Sequence, residues 1–89
     1  MIKTQVTITN KLGLHARASA KLTKLAGSFP CEVWMSRADR RVNAKSIMGV
    51  MMLAAGLGAT VEIETDGERE REANEALRAL VADRFGEGE

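Results

Sequence analysis

The 89 residues predict an α+β fold in the order strand, helix, strand, strand, helix, strand, helix (βαββαβα). Three helices should cover one face of a four-stranded, mainly antiparallel sheet. Apolar residues alternate with polar ones in 2–8, 31–36 and 60–65, the period of a half-buried strand. They recur at spacings of three or four in 14–26, 47–54 and 73–81, the period of a one-sided helix. Glycine, Asp-Gly and the lone proline separate the two kinds of segment. The length suits one small hydrophobic core and falls short of two, so residues 1–89 are expected to form a single domain.

The first strand carries Ile2, Thr4, Val6 and Ile8 on one side and Lys3, Gln5 and Thr7 on the other. Turn chemistry at 10–13 leads into a helix from about residue 16, with Leu14, Ala18, Leu22, Leu25 and Ala26 on its apolar side, and Gly27 stops it. After Pro30, Cys31, Val33 and Met35 oppose Glu32, Trp34 and Ser36 in a second strand. A polar break at 38–40 turns the chain into a short third strand through Arg41, Val42 and Asn43. Ser46 precedes Ile47, Val50, Met51 and Ala54, a helical face expected to run to Gly56 and Gly58, with Met51 packed in the core. Val61 and Ile63 oppose Glu62 and Glu64 in the fourth strand, which Asp66-Gly67 ends. Ala73, Ala76, Leu77, Leu80 and Val81 form the stripe of the last helix, with Glu68 and Glu70 in its first turn and Arg84 near its end. The charges at 68–72 read as a solvated helix face, and Gly86 to Glu89 as a frayed tail.

Composition narrows the function. Thirteen basic against twelve acidic side chains leave a net charge of +1, and the aromatics are two Phe, one Trp and no Tyr. Neither a strong positive field nor a stacking platform is available, so no nucleic-acid partner is expected. One Cys and one His cannot build a zinc site from soft ligands, and Cys31 reads as a small buried hydrophobe. The first residues alternate rather than forming an apolar run, so no membrane insertion is expected and the cytoplasm is the expected compartment.

The only histidine lies in Gly13-Leu14-His15-Ala16-Arg17-Ala18-Ser19, at the start of the first helical pattern. A helix start presents amides without intrahelical acceptors and the positive end of the macrodipole, which together favour phosphate. That positive end also disfavours imidazolium, leaving His15 a lone pair with which to act as a nucleophile. Arg17 can bring a guanidinium to the phosphoryl oxygens. Taken alone, a single histidine is more often a surface or structural residue, and these features bring the two readings level.

The segment Gly13 to Ser19 resembles the active-site signature of the HPr family of the phosphoenolpyruvate-dependent phosphotransferase system (PTS). In that signature a phosphorylated histidine is followed two residues later by an arginine. Asn43-Ala44-Lys45-Ser46-Ile47-Met48-Gly49-Val50-Met51 resembles the family's second hallmark segment. The resemblance runs from Ile2 to about Arg84; one departure is Ala18, where many members have proline, a change an early helix position tolerates. It implies an open-faced sandwich and a phosphoryl carrier, not a stand-alone enzyme. Such a carrier takes the group from enzyme I onto His15 and passes it to enzyme IIA domains, for sugar uptake or a nitrogen-related regulatory branch.

No cofactor is implied, and a monomer is expected. Ser46 has two readings: a helix cap, and the site that HPr kinase/phosphorylase modifies in some members. Lys24, Ile47, Met48, Gly49, Met51 and Met52, with Arg17 at the rim, are the implied docking patch, although Gly49 is equally explained by local packing. A regulatory binding module that transfers nothing, and a small RNA-binding domain, are the competing readings.

Overall fold

The computed structural model describes residues 1–87. β1 (Ile2–Thr7) pairs antiparallel with β4 (Thr60–Asp66), which also pairs with β2 (Glu32–Arg37); β3 (Arg40–Asn43) completes the order β1-β4-β2-β3. α1 (Ala16–Gly27), α2 (Ile47–Met52) and α3 (Glu70–Ala82) cover one face, and a 3-10 turn, Arg84–Gly86, follows. This is the open-faced sandwich that the periodicities predict.

The two faces follow from the alternation. Val33, Met35, Val61 and Ile63 point under the helices and meet Ala18, Leu22 and Ala26 of α1, Val50 of α2, and Ala73, Leu77 and Val81 of α3 in one buried cluster. Cys31 is buried in that cluster as a free thiol. On the other face Trp34 lies opposite Glu64 in the ladder. Glu64 is buried, and Arg41 compensates it with a 3.0 Å ion pair while its guanidinium stacks 4.0 Å over the Trp34 ring. One polar residue sits among the apolar ones of α3. Asn74 is buried because its Oδ1 accepts from Thr4 Oγ1 at 2.9 Å and Arg78 Nε at 3.1 Å.

Several boundaries depart from the periodicity. Ile8 leaves the β1 ladder yet stays buried, its amide donating to Ala59 O at 2.8 Å. The β2–β3 hairpin turns through Ala38 and Asp39, Ala38 taking the positive φ of 55° that short hairpin turns use. α2 stops at Met52, four residues before the expected glycine, because Ala54 adopts φ 52°. The carbonyls left open there are taken by the hairpin: Arg37 Nη1 reaches Leu53 O at 3.0 Å and Arg40 Nη1 reaches Met52 O at 2.7 Å. Glu68 precedes α3 and so lies outside the first turn expected to hold it, while Arg84 lies just past the helix end, where it is expected.

The frayed tail is also corrected as far as Glu87; Gly88 and Glu89 lie outside the described residues. Phe85 is buried, and Lys21 Nζ donates to its carbonyl at 2.6 Å. Arg84, Phe85 and Gly86 take successive positive φ values of 55°, 54° and 75°. For the two non-glycine residues this costs about 1–2 kcal/mol each. Burying the Phe85 side chain offsets roughly 1.5–3 kcal/mol of that. Among the described residues no helix is long and apolar enough to cross a membrane.

The β4–α3 corner is tied by charge. Glu70 accepts from the Met1 ammonium at 2.8 Å and from the Gly67 amide at 3.0 Å, and these contacts, the ammonium first, hold its carboxyl below the ordinary glutamate range. A lowered carboxyl stabilises the fold above its unfolded value, and the contribution disappears as pH falls through the folded value. Glu70→Gln should therefore lower the denaturation midpoint at neutral pH. The gap from the parent should close below the ordinary glutamate range, as chemical denaturation across a pH series would show.

Candidate functional site

The site begins with a turn that only glycine can make. Gly13 sits at φ +64°, and a Cβ there would fall 2.5 Å from Ala55 O and 2.7 Å from Gly56 Cα. The same approach lets the Leu14 amide donate to Ala55 O at 2.9 Å. Asn10, fully buried, braces the turn by donating Nδ2 to Gly13 O at 2.8 Å. The chain then enters α1 with His15 as its N-cap, extended at φ −73° and ψ 179°, its carbonyl accepting the Ser19 amide at 2.8 Å. The His15 side chain makes no capping bond. Its ring is thus left for other contacts, while the amides of Ala16, Arg17 and Ala18 have no intrahelical acceptor.

The ring is partly exposed, at 28% of its side-chain surface, and held between two acceptors. Nδ1 lies 3.0 Å from Gly13 O, and because a carbonyl only accepts, that contact is a hydrogen bond when Nδ1 carries a proton. Nε2 lies 3.0 Å from Glu87 Oε2. A ring protonated on both nitrogens can donate both ways; a neutral ring must leave one oxygen unanswered. Glu87 is itself 14% exposed and its Oε1 accepts from Asn10 Nδ2 at 3.1 Å. Its Oε2 is at ion-pair distance from the ring but has no aligned donor among the described residues, and Asn10 Oδ1 is likewise buried without one. Such atoms are costly to keep dry.

His15, Ala16, Arg17, Lys11, Leu12 and Glu87 line a shallow open cleft. It combines a nucleophilic ring, helix-start amides and two cationic side chains, the chemistry for holding a transferable anion. Lys24 is exposed seven residues beyond Arg17, on the same side of α1.

The second segment forms the short helix beside α1. Ser46 is its N-cap, with Oγ accepting from the Gly49 amide at 3.1 Å. A Cβ on Gly49 would lie 3.3 Å from Asn43 O, so local packing accounts for that glycine. Ile47, Met48 and Met52 are exposed, Met48 by 72%. Met51, expected in the core, is 40% exposed. A helix of less than two turns has one inward position, and Val50 takes it. Sequence reasoning missed Asn10 and Glu87, which meet across 77 positions, as well as exposed Leu12; a leucine among polar turn residues was the one available signal.

Known proteins resemble this chain in sequence and in fold. A family model described as the PTS HPr component phosphorylation site matches residues 2–83. A phosphocarrier protein HPr of Cupriavidus necator is 68% identical over 89 residues, 100% of both chains. One of Neisseria meningitidis is 57% identical over 89 residues, again 100% of both. Among solved structures, HPr-C-His from Thermoanaerobacter tengcongensis matches with a TM-score of 0.95 at 40% identity, covering 98% of each chain.

Gly13→Ala should cost about 2 kcal/mol or more, since strain at positive φ adds to a clash with backbone that has nowhere to move. Gly27→Ala, where a Cβ meets nothing within 4 Å, is the control and should be neutral or stabilising in the same urea titration.

Proposed function

The chain belongs to the PTS HPr family, and from that premise we propose that it is a cytoplasmic, single-domain phosphoryl carrier working as a monomer. It accepts a phosphoryl group from phosphorylated enzyme I on His15 and passes it to enzyme IIA domains. The observation that carries this reading is the His15 ring at the N-cap of α1, opening on a cleft that Arg17 and Lys11 also line.

In the transfer, a ring-nitrogen lone pair attacks phosphorus in line as the donor's phosphorus–nitrogen bond breaks, and the bonding pair leaves with the donor imidazole. Little covalent work is asked of the protein; positioning and charge stabilisation carry the rate. The attacking nitrogen is the one without a proton; it donates to neither oxygen, and the Gly13 O or Glu87 Oε2 beside it only crowds its lone pair. The amides at the start of α1 and the Arg17 guanidinium then neutralise the phosphoryl oxygens. The reverse attack, by a ring on the acceptor protein, restores His15.

Enzyme I and enzyme IIA must use one surface in turn. Exposed Ile47, Met48, Met51 and Met52 beside α1, with Gly49 on the same short helix and Lys24 at the rim, supply an apolar surface whose flexible thioethers adapt to different partners. Ser46, at the head of that helix, is the regulatory position for HPr kinase/phosphorylase: a phosphate there adds about −1.5 to −2 charge to the docking surface.

Incubation with phosphoenolpyruvate and enzyme I should add one acid-labile phosphate by mass analysis, and His15→Ala should take up none. Labelling of the alanine variant would sink the assignment. Arg17→Ala should melt like the parent and be labelled about tenfold more slowly. Ser46→Asp should raise the concentration that half-saturates enzyme I by about threefold or more, and an unchanged value would remove the regulatory role.

A further inference from the structure

We propose that the C-terminal turn is a displaceable cover: Glu87 occupies the cleft beside the unmodified His15 ring, and an arriving phosphoryl group expels it. This rests on the phosphocarrier reading above and adds a moving part to it.

Four observations converge on the turn. Glu87 places a carboxylate oxygen 3.0 Å from Nε2 of the ring and lines the same cleft as Arg17 and Lys11. The cleft therefore already holds an anion. A phosphoryl group brings about two further negative charges into the same small space, where like charges repel most strongly. Secondly, apart from the ring itself, the grip on the Glu87 side chain among the described residues is one hydrogen bond from Asn10, with Oε2 buried and lacking an aligned donor. Thirdly, the residue before it is Gly86 at φ 75°, a backbone that glycine leaves and re-enters at little cost, so Glu87 can swing while Arg84 and Phe85 stay in place.

Lastly, the strained turn is anchored just upstream. The buried Phe85 ring and the Lys21 bond to the Phe85 carbonyl fix its near end. Only the Gly86 and Glu87 amides, bonded to Asp83 O and Arg84 O, stand between anchor and carboxylate. Motion at Gly86 and Glu87 thereby needs no unfolding of α3. The two anions compete for one seat, so whatever favours Glu87 there disfavours phosphate by the same factor.

Two measurements on the full chain test this. Amide exchange at Gly86 and Glu87 should be at least about tenfold faster in the phosphorylated protein than in the unmodified one, with α3 unchanged. Equal exchange in the two forms would overturn the cover. Glu87→Gln keeps an acceptor for Asn10 and removes the charge. Its single histidine should react with diethyl pyrocarbonate, and accept phosphate from enzyme I, about two- to fivefold faster than the parent. Equal or slower reaction with the reagent would overturn the cover without involving enzyme I. Failure of enzyme I to label both proteins, with the reagent rates still different, would instead remove the carrier reading.

Discussion

The site depends on two backbones meeting closer than a side chain would permit. Gly13 lies against Ala55 and Gly56, so the loop that opens α1 is pinned to the loop that follows α2. That contact decides where α1 begins, and hence that His15, not a neighbour, becomes its N-cap with the ring free. Asn10 braces the same turn from behind and also holds Glu87, which joins the end of the chain to its first loop. Without Gly13, the loop that opens α1 and the loop that follows α2 could not meet this closely.

A protein that hands a reactive group from one partner to another needs a site shallow enough for both to enter. Here the ring is part exposed at an open cleft, and the surrounding charge is local: Lys11 and Arg17 line the cleft, while on the sheet's open face Arg41 pairs with buried Glu64. With a net charge of +1 the chain has no strong long-range field, so under the proposed carrier role recognition would fall to contacts within a Debye length. The short helix α2 is held at both ends, by Ser46 at one and by Arg37 and Arg40 at the other.

How far this was legible in the sequence varies with the range of the interaction involved. Strands with one buried face announce themselves by alternation, and α1 by its stripe and Gly27; these appear where the periodicity puts them. The placement of His15 and Ser46 as helix caps was equally local and equally readable. The end of α2 was not, because alanine at 54 is a good helix former and only tertiary packing turns it to positive φ. The burial of Asn74 and Asn10 needs partners supplied by distant strands and loops, which no window of sequence contains. Phe85 and Glu87 escaped for the same reason, since a glycine-rich, acidic ending has the composition of a tail while its contacts come from α1 and the first loop.

The pairing of the first strand with the fourth carries a consequence for how the molecule is made. Among the described residues β1 pairs only with β4, and β4 is the strand that joins β1 to β2. A nascent chain emerging from the ribosome can form α1 and the β2–β3 hairpin early, yet the sheet has no centre until residue 66 has cleared the exit tunnel. Synthesis at about 5–20 residues per second leaves those edges waiting for seconds. The high sequence separation of the β1–β4 contact should then make late zippering of the middle strand the slow event of folding.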